Sequence, residues 1–167
     1  MSENTEEHRL ERFNRRRRRL QIRGMTILAA WAAVNLTLGS VLYFLDDARS
    51  AFHQMNVFWN LVNAGLAAGG LIGSSRERND RRLAESVEAQ HKTEKIFLLN
   101  TGLDLGYIMG GLYLRELVTR FPDWAAELPG WGAAIVLQGV FLVIFDAAMV
   151  WLHSRNREYR PLLAQAP

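Results

Sequence analysis

The sequence predicts an all-α integral membrane four-helix bundle with an N-terminal interfacial helix and a cytoplasmic extension of the third helix. Three observations predict it. First, charge is segregated. Across 167 residues, no Lys or Arg occurs from Gly24 to Leu45, from Ala51 to Ser75, from Ile96 to Leu114 or from Leu128 to Leu152. Each of these runs exceeds the roughly 18 residues that separate a spanning helix from a buried soluble one. Second, the polar residues inside these runs recur at helical spacing. Third, 17 of the 20 basic residues lie in the two tails and the central loop.

The elements follow in order. Residues 1–23 start acidic and end in the run Arg15 to Arg19. Leu10, Phe13 and Leu20 would give a helix there an apolar edge to lay on a membrane surface. The first span, about 24–45, has 22 uncharged residues, about 33 Å of helix against a hydrocarbon core of about 30 Å. A short connection, Asp46 to Ser50, makes a hairpin with the second span, about 51–73.

In the cytoplasmic loop, 74–95, Asn79 and Asp80 are cap candidates. From about Arg81 one helix should run out of the cytoplasm and through the third span, about 96–118, until Pro122 and Asp123 stop it near Phe121. Trp124 and Trp131 suit the outer headgroup level. The fourth span, about 131–152, precedes a cytoplasmic tail, 153–167. The positive-inside rule then sets both termini in the cytoplasm of a multi-pass membrane protein. The first run is too long for the apolar region of a cleaved signal peptide.

With no cysteine in the chain, disulfide staples, thiolate metal sites and dithiol chemistry are excluded. The formal charge of +3 comes from arginines beside the membrane. The partners it implies are the bilayer itself and anionic lipid headgroups at Arg15 to Arg19, with no role for nucleic acid. No phosphate-binding, dinucleotide, zinc-protease or nucleophile-elbow motif occurs, so enzyme chemistry has no positive support, no metal site is indicated, and the cofactor is unknown.

The intramembrane polar residues carry the functional reading. On the second span His53, Asn56, Asn60 and Asn63 fall within an arc of about 80°. On the third, Asn100, Asp104, Tyr107 and Gly111 share about 60°. On the fourth, Asp146 and His153 are nearly aligned, with Gln138 about 80° away; the first offers Trp31, Asn35 and Gly39. Stripes like these should face protein, which makes a polar bundle core. A charged Asp at mid-helix costs about 2.5–3.5 kcal/mol on insertion scales, so two of them need a reason. One reason is a path that binds or conducts a small polar solute, cation or proton. A second is interhelical hydrogen bonding in a scaffold or accessory subunit.

A third and weaker reading is a membrane enzyme or lipid-modifying protein using His91, Glu94 and His153 at the cytoplasmic face. His91 and Glu94 project away from the Asn100 stripe on a straight helix. Gly65, Gly69 and Gly73 form two overlapping G-x-x-x-G motifs opposite the asparagines, expected either to pack within the bundle or to join two copies in a homo-oligomer.

Three blocks carry a resemblance. They are Phe52-His53-Gln54-Met55-Asn56 with Trp59-Asn60 and Asn63; His91 with Glu94-Lys95-Ile96-Phe97, Asn100, Gly102-Leu103-Asp104 and Tyr107; and Leu137-Gln138-Gly139 with Phe145-Asp146, Met149 and His153. On these the chain, from about residue 10 to 160, resembles a bacterial family of four-helix integral membrane proteins of unknown function. The resemblance implies the topology and imports no activity.

Overall fold

The computed structural model describes residues 3–77 and 82–157, with the side chains of residues 3 and 4 excepted. The cap candidates Asn79 and Asp80 and the tail beyond Arg157 lie outside the described residues. Four long helices dominate: α1 Glu3–Leu45, α2 Ser50–Arg76, α3 Leu83–Glu116 and α4 Leu128–Ser154. Three short 3-10 turns join them, Asp47–Arg49 between α1 and α2, and Leu117–Thr119 and Pro122–Trp124 between α3 and α4. No proline interrupts α1, α2 or α3. Pro129 sits in the first turn of α4, where the N–H it lacks would have had no intrahelical acceptor.

The molecule is inside out relative to a water-soluble bundle. Its buried side chains include Asn56, Asn60, Asn63, Gln90, Asp104, Gln138, Asp146 and His153, while Leu, Val, Ile and Phe side chains are exposed along all four helices. Apolar patches of that extent are rare on soluble monomers. α1, α2 and α4 are long and apolar enough to cross a membrane. α3 does not reach the same hydropathy because Asn100, Thr101, Asp104 and several glycines dilute its apolar run, yet its outward residues Leu98, Leu99, Leu105 and Met109 are exposed in the same way.

α1 packs on α2, α3 packs on α4, and α2 meets α4 in the middle, while α2 and α3 scarcely touch. A buried apolar cluster, Met25, Leu28, Ala67, Phe97, Leu142, Phe145 and Met149, fills the half of the bundle nearer Arg17 and His153. The closest backbone approach is between α3 and α4. A Cβ on Gly111 would stand 2.7 Å from the carbonyl oxygen of Gly132, and one on Gly139 would stand 2.8 Å from Ile108 Cγ1.

Two expectations change here. α1 does not divide into a surface helix and a span. It is one helix of 43 residues, about 64 Å long, whose Phe13, Asn14 and Arg17 are buried. The edge of Leu10, Phe13 and Leu20 thus covers protein at Phe13: Asn14 Nδ2 donates to Ser86 Oγ of α3 at 3.0 Å, and the Phe13 carbonyl accepts from Asn156 at 3.2 Å. In addition, Gly65, Gly69 and Gly73 do not pack within the bundle, since a Cβ at any of the three would meet nothing within 4 Å.

Candidate functional site: a carboxyl pair at the base of a lateral cleft

The polar stripes meet inside the bundle, but they form two separate groups. The first is an amide network centred on Gln138. Its Oε1 accepts from Trp31 Nε1 at 2.9 Å and from Asn63 Nδ2 at 3.2 Å, and its Nε2 donates to Asn56 Oδ1 at 2.6 Å. Asn56 Nδ2 donates onward to Asn35 Oδ1 at 3.1 Å, and Asn60 Nδ2 donates to the Asn56 backbone carbonyl at 2.7 Å. α1, α2 and α4 are thereby tied at one level. Every buried side-chain nitrogen and oxygen of these five amides is partnered, which is what a load of polar groups in an apolar interior requires.

The second group is different. Asp104 and Asp146, carried on α3 and α4, face one another closely enough for their carboxyl groups to interact. Asp104 is 3% exposed, and its Oδ2 has no hydrogen-bond partner among the described residues. The pair lies at the base of a cavity of about 290 Å³ between α2 and α3, in the gap left because those helices stand apart. Asn63, Asn100 and Tyr107 line it, as do Trp59, Phe97 and Phe145. Trp59 and Tyr107 meet edge to face with ring centroids 4.9 Å apart. A second cavity of about 330 Å³ shares Gln21, Gly70 and Thr93 with the first and ends at the ion pair of Arg17 and Glu77, 2.7 Å long.

The remaining sequence candidates fall elsewhere. His53 sits at the opposite end of the bundle, its Nε2 3.5 Å from Asp46 Oδ2, beside Trp131, which donates to Gln54 at 3.1 Å. His153 is fully buried and stacked on Phe97, with neither ring nitrogen hydrogen-bonded, so it is enclosed by protein and not the partly solvated interface residue its position suggested. Gln90 Nε2 joins it to Glu94, donating to the His153 carbonyl at 2.6 Å and to Glu94 Oε1 at 2.8 Å, while His91 is on the exposed side of α3. The arginine run is divided: Arg17 is buried against Glu77, Arg18 donates to the Ser75 carbonyl at 3.2 Å, and Arg15 pairs with Glu11 at 2.6 Å.

Sequence reasoning missed Trp59 as a wall of the site, although it stands four residues before Asn63 and so borders the asparagine stripe. It also missed the buried knot of Asn14, Ser86, Gln90 and Asn156, because these lie in segments whose charge reads as solvated surface. Among the described residues no group of three or more His, Cys, Asp or Glu is placed to hold a metal ion.

A family model described as a family of unknown function, DUF6992, matches residues 27–147. That stretch holds the amide network and both carboxyls, and ends short of the buried residues His153 and Asn156. No curated protein and no solved structure matches the chain.

Proposed function

Because the chain belongs to the DUF6992 family of unknown function, its role has to come from geometry, and we propose that it is a four-span membrane protein whose Asp104–Asp146 pair binds a cation or a proton for solute handling. The observation that carries this is the pair itself: two carboxyls buried side by side in the lining of one cavity, with Asp104 Oδ2 unpartnered among the described residues. The amides around Gln138 complete their hydrogen bonds with one another. Two acids held together in an apolar setting, one with an oxygen that no donor satisfies, cost a few kcal/mol and have the arrangement of a ligand site.

The exposed apolar belt on α3 supports counting it as the fourth span, with the aqueous end of the cleft at Arg17 and Glu77 on the cytoplasmic side. A bacterial inner membrane, both termini inside, is the setting that the basic residues favour. The glycine face of α2, open in one chain, fits contact with a second copy, and the exposed arginines of α1 fit anionic headgroups.

A second reading, a scaffold or accessory subunit, draws support from the self-contained amide network, which needs no solute to explain it. The two readings part on Asp104→Asn and Asp146→Asn. In proteoliposomes the ligand-site reading expects both variants to keep the parent's unfolding temperature within a few degrees while cation-linked or proton-linked flux disappears. Unchanged stability with no ion-linked flux in the parent, across protons, Na⁺ and K⁺, would favour the scaffold.

A further inference from the structure

The chemistry of the walls narrows the ligand. Resting on the carboxyl-pair reading above, we infer that the cleft takes a lipophilic organic ammonium ion, which enters sideways from the bilayer between α2 and α3. Three features of the cleft converge on that class. The only formal charge at its base is acidic, which selects a cation and disfavours an anion. The surfaces facing the acids are aromatic and aliphatic: Trp59 and Tyr107 on one side, Phe97, Phe145 and Leu142 on the other. An inorganic ion needs about six oxygens to replace its water, which the cleft reaches only if nearly every oxygen of both carboxyls, of the Asn63 and Asn100 amides and of Tyr107 turns to one point, and Asp104 Oδ2 is shielded. An alkylated nitrogen sheds little hydration and gains from an aromatic face, so the same walls suit it.

The third feature is the opening. Val62 and Leu66 of α2 and Ile96 and Leu103 of α3 flank the gap and are 48–61% exposed, so the rim that meets lipid is itself apolar. The aqueous end carries Arg17, which lies 2.7 Å from Glu77. A lipophilic cation arriving from the hydrocarbon side meets this apolar rim first, whereas from the aqueous end it would pass the charged Arg17–Glu77 pair.

The experiment uses the full chain in nanodiscs of neutral phosphatidylcholine, with radiolabelled phenyltrimethylammonium as the probe and empty nanodiscs to subtract partitioning. Equilibrium dialysis should show saturable binding. Asp104→Asn should weaken it by roughly tenfold or more, and Trp59→Leu by about three- to tenfold, with Trp59→Phe recovering most of the loss. Added NaCl and KCl should not compete beyond the effect of equal ionic strength. Near-UV circular dichroism confirms that each variant is folded.

Saturable binding that ignores both Asp104→Asn and Trp59→Leu would overturn the inference, as would the absence of saturable binding. If the probe does not bind but Asp104→Asn still abolishes proton or Na⁺ flux in proteoliposomes, the ligand class is wrong and the carboxyl-pair function stands. If both measurements are null, both fall.

Discussion

Replacing Gln138 by Leu removes the residue that ties three helices together, and the cost can be worked from its contacts. Three side-chain hydrogen bonds go: Trp31 Nε1 to Oε1, Asn63 Nδ2 to Oε1, and Nε2 to Asn56 Oδ1. Interhelical bonds inside membranes average about 0.6 kcal/mol and reach about 1.7, so three amount to about 2–5 kcal/mol. The partners do not lose equally. Asn63 keeps a bond to Asn60 Oδ1 at 3.4 Å, and Asn56 Oδ1 keeps one from Asn60 at 3.2 Å, whereas the Trp31 indole has no other acceptor among the described residues. The Gln138→Leu cost should therefore fall at about 2–4 kcal/mol, dominated by the orphaned Trp31 N–H. Trp31→Phe is the matching control, because it removes one bond and preserves the ring stack on Phe141, whose centroid lies 4.0 Å away. Alone it should cost about 0.6–1.7 kcal/mol, and combined with Gln138→Leu it should recover part of the loss, since it removes the N–H that Gln138→Leu orphans. Reversible unfolding in mixed micelles, followed by near-UV circular dichroism, measures all three. A Gln138→Leu protein within about 0.5 kcal/mol of the parent would refute the idea that this network holds α1, α2 and α4 together.

Further outcomes follow from packing, charge and topology. Gly111→Ala puts a Cβ 2.7 Å from the Gly132 carbonyl oxygen and 2.9 Å from Val136 Cγ2, so thermal unfolding should show a loss of about 1–3 kcal/mol. Gly69→Ala meets nothing within 4 Å and should leave the single chain as stable as before or firmer by up to about 1 kcal/mol; a large loss there would mean that this face is packed in a complex. Arg17→Gln removes the 2.7 Å ion pair with the partly buried Glu77 and should destabilise by about 3 kcal/mol, with Glu77→Gln in the same background recovering part of it. In a chain without cysteine, single cysteines at Asp47 and Asp123 should label from outside intact cells and one at Glu88 only after permeabilisation; the reverse pattern would invert the topology.

The sequence by itself determined that four long helices form, roughly where each starts and stops, and that their asparagine and aspartate stripes turn inward. Those properties are local. Helical periodicity puts Asn56, Asn60 and Asn63 on one face whatever they pack against, and a run of apolar residues is apolar in any arrangement. Only the tertiary structure decided which stripes meet. The amides close on one another around Gln138 because α2 packs on α4 and α1. The acids open onto a cleft because α3 packs on α4 but stands off from α2. That separation depends on helices far apart in sequence, and no spacing rule within one helix encodes it.

The same reason accounts for the other differences. An apolar edge at Leu10, Phe13 and Leu20 records that something is covered without recording whether it is lipid or the α3–α4 end of the bundle. Gly65, Gly69 and Gly73 display the motif for close approach where no neighbour approaches within the chain. Gly111 and Gly132, on different helices and sharing no motif, are where two backbones come together.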